Sequence, residues 1–229
     1  MSQPMIDGPR LQPASGTAKA LVVFLHGFGA DGNDLIAIGA EWRKALPDVA
    51  FASPHAPERC MAAPTGRQWF PLTFRDPDER RRGVIAARPT LDAFLDAELK
   101  RHNLTDDRLV LIGFSQGAMM ALHAGLRRTR PPAAIIGFSG MLVSPEALKA
   151  EATCRPPILL IHGERDDVIP VDALFAATDG LAAAEIPVEW HLSPGLGHGI
   201  DGEGLRQGAA FVASALKPRR TSLRVSSQG

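Results

Sequence analysis

The chain has 229 residues, 45% of them apolar, enough to bury a sizeable core within one α/β domain. Lysine plus arginine equals aspartate plus glutamate at 25 each, so no net field draws nucleic acid or an anionic membrane surface, and no basic patch is interleaved with aromatics. That balance makes small, not polyanionic, partners the expectation; the two cysteines, Cys60 and Cys154, make neither a disulfide framework nor metal-ligand spacing and are read as reduced thiols.

The first residues, Met1 to Asp7, carry no basic segment followed by an apolar one, and no apolar stretch approaches the length of a bilayer span. A cytoplasmic protein without stable membrane association is expected, with a homodimer as a possible assembly. From Ala20 onward, short β-like runs alternate with longer helical ones, the pattern of a doubly wound, mostly parallel sheet with helices on both faces. The predicted strands are Ala20 to Leu25, Val49 to Ser53, Arg108 to Ile112, Ala133 to Phe138, Pro157 to Ile161 and Pro187 to Leu192. The predicted helices are Asp34 to Leu46, Thr90 to His102, Gln116 to Arg128, Val171 to Ala183 and Glu203 to Leu216.

After the first strand, Gly27-Phe28-Gly29-Ala30-Asp31-Gly32 admits two readings. Gly27, Gly29 and Gly32 match a dinucleotide fingerprint in its strand-to-helix setting. Such a site wants an acid near the end of the second strand, where the chain has Phe51-Ala52-Ser53-Pro54-His55, and Asp31 would oppose a pyrophosphate at the helix N-terminus. Alternatively the loop brings the Phe28 N–H close to a reacting carbonyl. Residues 55–83 show no period and hold Pro57, Pro64, Pro71 and Pro77, the apolar pair Trp69-Phe70 and a charged run at Asp78 to Arg82. An insertion of this length commonly serves a site, so Trp69 and Phe70 are expected in a pocket wall and the charges in solvent.

The third predicted strand runs into Gly113-Phe114-Ser115-Gln116-Gly117 and then a helix, the setting of a nucleophile elbow. Glycines on both sides remove the Cβ atoms that would collide in a strained turn. Gly137-Phe138-Ser139-Gly140 is similar but lacks the second spacing. In the α/β-hydrolase arrangement an acid and then a histidine follow the serine on later loops. Asp166, in His162-Gly163-Glu164-Arg165-Asp166-Asp167, supplies the acid, with Asp167 as its neighbouring competitor. His198, in Gly197-His198-Gly199, supplies the base. The backbone N–H groups of Gln116 and Phe28 are then the oxyanion donors. His26 and His162 are read as organising their loops, and His55, His102, His123 and His191 as structural. No His-Glu-x-x-His cluster invites a metal.

Together, His26-Gly27-Phe28-Gly29, Pro54-His55-Ala56-Pro57, Trp69-Phe70, Gly113 to Gly117, His162-Gly163-x-x-Asp166-x-Val168-x-Pro170 and Gly197-His198-Gly199 resemble, in their order, the phospholipase/carboxylesterase family, which includes the acyl-protein thioesterases. The resemblance spans about residues 10 to 216. It implies an α/β-hydrolase fold without a large lid domain, cofactor-free hydrolysis of short- to medium-chain carboxylic or thio esters through an acyl-serine, and the site residues named above. Lysophospholipase or acyl-protein thioesterase activity are alternatives within the family, and a non-catalytic binding module on the same scaffold is the alternative outside it. Phe28 stands where eukaryotic members tend to have leucine, and Pro71 where aspartate usually follows the tryptophan motif; both departures point to a reshaped acyl pocket, and Phe28 and Trp69, by filling depth, to short acyl chains. One domain is expected over 1–217, with a disordered tail at 218–229.

Overall fold

A computed structural model describes residues 5–73, 76 and 78–217, so the expected tail at 218–229 lies outside the described residues. The elements in chain order are β1 (Arg10–Leu11), β2 (Ala20–Leu25), α1 (Gly32–Trp42), β3 (Val49–Ala52), β4 (Glu58–Arg59), β5 (Arg67–Gln68), α2 (Glu79–Arg101), β6 (Leu109–Phe114), α3 (Gln116–Gly125), β7 (Ala134–Phe138), α4 (Pro145–Glu151), β8 (Ile158–Gly163), α5 (Asp172–Ala183), β9 (Val188–Ser193) and α6 (Gly202–Ala215). The main sheet has the order β1-β3-β2-β6-β7-β8-β9, parallel throughout except for β1, which pairs antiparallel with β3. The chain first steps outward from β2 to β3 and then reverses through β6 to β9. Such a reversal opens a crevice at the carboxyl ends of β2 and β6, the place where α/β sheets hold their ligands.

The strands are apolar on both faces because both are covered. In β2, Leu21, Val23 and Leu25 join one core with side chains of α2, α3, α4 and α5, while Ala20, Val22 and Phe24 join a second with Leu35, Ile38 and Trp42 of α1 and Val212 of α6. Alternation at period two thus sorts a continuous hydrophobic run onto two helical layers. Among the described residues no helical domain is inserted over the carboxyl ends of the strands.

Several elements differ from the sequence expectation. The segment 55–83 is not irregular throughout: β4 and β5 pair antiparallel within it, and α2 begins at Glu79 instead of Thr90, taking in the charged run and Pro89. Pro89 is exposed and sits four residues after Ile85, itself 49% exposed, so the carbonyl deprived of its N–H partner faces the wet side of the helix. The buried face carries Gly83, Val84, Ala87, Leu91 and Leu95, and a Cβ at Gly83 would lie 2.3 Å from the Phe70 ring, so α2 rests directly on that ring. The short α4 has proline at its start and buries only Leu148, too little periodicity to be seen in advance.

His123 on α3 is 5% exposed, and its pKa is lowered to about 3, first by burial and then by the Arg127 and Arg88 cations. Because the folded value lies below the unfolded one, unfolding takes up a proton between these two values, and stability falls as the pH drops through that window. We expect His123→Met to raise the urea midpoint at pH 4.5 relative to the parent and to leave the difference unchanged between pH 7.5 and 8.5. An equal gain at both ends would remove the titration as its cause.

Candidate active site

β6 ends in Phe114, and α3 starts at Gln116, so Ser115 occupies the one-residue turn between them. Its backbone has φ 54° and ψ −116°, a conformation of order 1–3 kcal/mol above the ordinary ones. The turn is possible only with small neighbours. A Cβ at Gly113 would stand 2.2 Å from the Gly117 carbonyl oxygen, and one at Gly117 would stand 1.9 Å from the Leu25 oxygen. The Ser115 N–H donates to the Phe138 carbonyl at 2.9 Å, fixing the elbow on β7.

β8 delivers Asp166 and β9 delivers His198, each a few residues past the strand end. The side chain of Asp166 is fully buried, and its two oxygens are fully used. Oδ1 accepts from the Val168 N–H at 3.0 Å and the Ile169 N–H at 2.8 Å; Oδ2 accepts from His198 Nδ1 at 2.8 Å. Burial alone would raise this carboxyl, but the bonds from His198, Ile169 and Val168 outweigh it and hold the group below the usual carboxylate value. Asp167, the neighbouring competitor, is exposed, and no bond joins it to His198 among the described residues. A second imidazole touches the same oxygen: His162 Nε2 lies 3.3 Å from Asp166 Oδ2 and donates to the Ile169 carbonyl at 2.8 Å.

Both flanks of His198 are tied down. Its loop is stitched to the acid's loop by Arg165 N–H to Leu196 O at 2.8 Å and Glu164 N–H to Ser193 O at 3.0 Å. The Ser139 hydroxyl donates to the Gly199 carbonyl at 3.1 Å, and Asp201 caps α6 by accepting from Gly204 N–H at 2.7 Å. Ser139 belongs to the second, incomplete serine motif; its φ is 44°, and its hydroxyl is committed to the His198 loop through Gly199. The Phe114 ring lies against the His198 imidazole, 4.9 Å between centroids. Ser115 directly follows Phe114 in the chain, so the imidazole packs on the residue before the serine; among the described residues no direct hydrogen bond joins Ser115 and His198, a looseness common before a substrate tightens the set.

The glycine loop after β2 faces the elbow. A Cβ at Gly27 would lie 3.4 Å from the Ser115 Cβ, so the backbone entering Phe28 passes directly beside the hydroxyl-bearing carbon. Among the described residues neither the Phe28 N–H nor the Gln116 N–H has an acceptor. His26 organises this loop: its Nε2 accepts from the Ala56 N–H at 3.0 Å, so its proton is on Nδ1, which donates to the Gly27 carbonyl at 2.8 Å. Burial lowers its pKa and keeps it neutral. The start of α1 is already occupied, since Asp31 Oδ1 accepts from Asn33 N–H at 2.7 Å and the Gly32 N–H donates to His55 Nδ1 at 3.1 Å. The pyrophosphate position that a dinucleotide at Gly27, Gly29 and Gly32 requires is therefore filled by a carboxylate and an imidazole.

Trp69 and Phe70 are each 1% exposed. They line a cavity of about 620 Å³ together with Pro57, Gly83 and Ala87, against α2; Ser115, Asp166 and His198 take no part in its wall. The Gln116 side chain, which sequence patterning passed over, reaches this pair: its Oε1 accepts from the Trp69 N–H and its Nε2 donates to the Phe70 carbonyl, both at 2.8 Å. Among the described residues no group of three or more His, Cys, Asp or Glu side chains could hold a metal ion, and no helix is long and apolar enough to cross a membrane.

A switch-point crevice that holds a serine on a glycine-flanked elbow, with a carboxylate-bound imidazole packed on the preceding Phe114 ring, is the arrangement of a serine hydrolase of the α/β-hydrolase fold. The family model described as phospholipase/carboxylesterase matches residues 7–216, and the chain belongs to that family. Among its relatives, acyl-protein thioesterase 1 of Gibberella zeae is 28% identical over 228 residues, covering 92% of this chain and 97% of that protein. Esterase YpfH of Escherichia coli is 30% identical over 196 residues, covering 86% and 83%. Among solved structures, that of esterase PE8 superposes with a TM-score of 0.90 at 46% identity, covering 93% of this chain and all of that one. Arabidopsis thaliana SOBER1, at 23% identity and TM-score 0.77, shares the fold.

Proposed function

We propose that Ser115, His198 and Asp166 are the nucleophile, general base and orienting acid of this esterase, that the Phe28 and Gln116 N–H groups receive the oxyanion, and that its substrates are short-chain carboxylic esters or thioesters. The observation that carries the reading is the 2.8 Å bond from His198 Nδ1 to a fully buried Asp166, made in the loop next to the strained elbow.

Accepting at Asp166 fixes the proton on Nδ1 and leaves Nε2 as the basic nitrogen. Nε2 takes the Ser115 hydroxyl proton as Oγ attacks the carbonyl carbon, and the carbonyl oxygen becomes the O⁻ received by the two N–H groups. Each such donor lowers the barrier by roughly 3 kcal/mol. Collapse returns the proton from Nε2 to the departing alcohol or thiol and leaves an acyl-Ser115. Water, deprotonated by the same Nε2, then attacks the acyl carbon, and the acid leaves as Ser115 regains its proton. The name of the Gibberella relative brings thioesters into the proposal, because a thiol leaves through the same proton transfer. The short-chain reading rests on the bulk of Phe28, a half-buried residue in the loop whose Gly27 passes beside the Ser115 Cβ.

A fluorophosphonate is expected to add one phosphonyl group, located by peptide mass spectrometry on Ser115, and to abolish turnover of p-nitrophenyl butyrate. Butyryl esters are expected to turn over faster than dodecanoyl esters. Labelling elsewhere, with Ser115 unmodified and activity lost, would remove Ser115 as the nucleophile; the reverse chain-length order would remove the short-chain assignment.

A further inference from the structure

The segment from Gly66 to Phe70 is bonded to both halves of the oxyanion site at once. On the side of the glycine loop, the Gly29 N–H donates to the Arg67 carbonyl at 2.9 Å and the Arg67 N–H to the Ala30 carbonyl at 2.7 Å. A Cβ at Gly66 would stand 2.0 Å from the Gly29 oxygen, so the two backbones touch. The Trp69 indole Nε1 donates to the carbonyl of His26, the residue just before Gly27, at 3.0 Å. On the side of the elbow, the Gln116 amide closes both of its groups on the Trp69 N–H and Phe70 carbonyl. Gln116 is itself 1% exposed, and Phe70 is held from behind by α2 at Gly83.

The two oxyanion donors come from loops that follow different strands, β2 and β6, and they must be correctly spaced to about 0.5 Å to share one oxygen. The sheet alone fixes strand ends, not loop backbones. We infer that residues 66–70 form a brace that sets the spacing of the Phe28 and Gln116 N–H groups, with the Gln116 side chain as its positioning residue, so that Trp69 and Phe70 serve the reaction through geometry and not by contact with the acyl chain. A buried amide with a donor and an acceptor is suited to this, because one side chain fixes an N–H and a carbonyl of adjacent residues and so fixes orientation as well as distance.

A brace and a pocket wall differ in what they change. Loosening a wall alters substrate binding and appears in KM; displacing a donor that acts on the developing O⁻ alters kcat. Gln116→Met keeps the side-chain length and the backbone N–H while removing both bonds. It is expected to lower kcat for p-nitrophenyl butyrate about ten- to hundredfold with KM within about twofold. The affinity of a trifluoromethyl ketone, which adds Ser115 Oγ to its carbonyl carbon and leaves an oxyanion in the hole, is expected to fall by the same factor. Trp69→Phe keeps an aromatic side chain while removing the bond to the His26 carbonyl together with the second ring of the buried indole, and about three- to tenfold in kcat is expected, again without a KM change; it serves if Gln116→Met does not fold. A rise in KM with kcat retained would make the segment a pocket wall, and parent-like kinetics in both variants would leave no brace. The brace rests on Ser115 as the nucleophile. If the fluorophosphonate labels Ser115 and the variants behave like the parent, the brace alone fails; if Ser115 escapes the label, both fail.

Discussion

Asp166→Asn is expected to lower kcat about 10⁴-fold while leaving the fold intact. The reason is the wiring of the two oxygens. Oδ1 accepts two backbone N–H groups, from Val168 and Ile169, and only an oxygen can do that. An asparagine must therefore keep its carbonyl there and turn its NH₂ toward His198. The NH₂ is a donor, so the imidazole meets it with a bare Nδ1 and carries its proton on Nε2, where it cannot take one from Ser115. Asp167→Asn, on an exposed side chain, is expected to change kcat less than about twofold. Steady-state kinetics on the pair decide the matter: a larger loss at 167 would take the acid's role away from Asp166.

Ser115→Gly is expected to lower kcat by about 10⁵-fold or more and to raise the melting temperature. The φ of 54° costs a residue with a Cβ about 1–3 kcal/mol, a cost that glycine escapes. Glycine gives back about 0.5–1 kcal/mol through its freer unfolded chain. The net gain of roughly 1 kcal/mol corresponds to about 2–4 °C in a chain of this size. Ser115→Ala, which keeps the Cβ, is expected to lose the same activity without that gain. Calorimetry on the two variants separates strain from chemistry, and a glycine variant no more stable than the alanine one would show that the elbow stores no strain.

The parts of the site legible in the sequence were those that demand unusual residues at fixed spacing. Gly113 and Gly117 announce Ser115 because a Cβ at either would strike backbone. Strand positions followed from apolar runs, and each was found within a residue or two of its expected place. What pattern could not supply is partnership across the chain. The Gln116 amide meets backbone atoms 46 and 47 residues away, and a backbone partner leaves no mark on composition. The charged start of α2 read as solvent because Glu79 to Arg82 shows no apolar stripe; its anchor, Gly83 against Phe70, is a contact of shape. Hydrophobicity points to Trp69 and Phe70 as pocket walls, and the open cavity they line lies against α2, without Ser115, Asp166 or His198 in its wall. Hydrophobicity tells that a side chain is covered, not what covers it.

In the proposed mechanism, the mooring of His198 limits how the two halves of the reaction can share one base. With Ser139 holding the carbonyl at 199, Asp201 committed to α6 and the loop before it stitched to the Asp166 loop, the backbone on both sides of 198 is held by hydrogen bonds. Asp166 holds the imidazole itself from behind. The ring that first points Nε2 at a serine and later at a water can do so by pivoting a little about its bond to the carboxylate, so leaving group and incoming water must arrive along nearly the same direction.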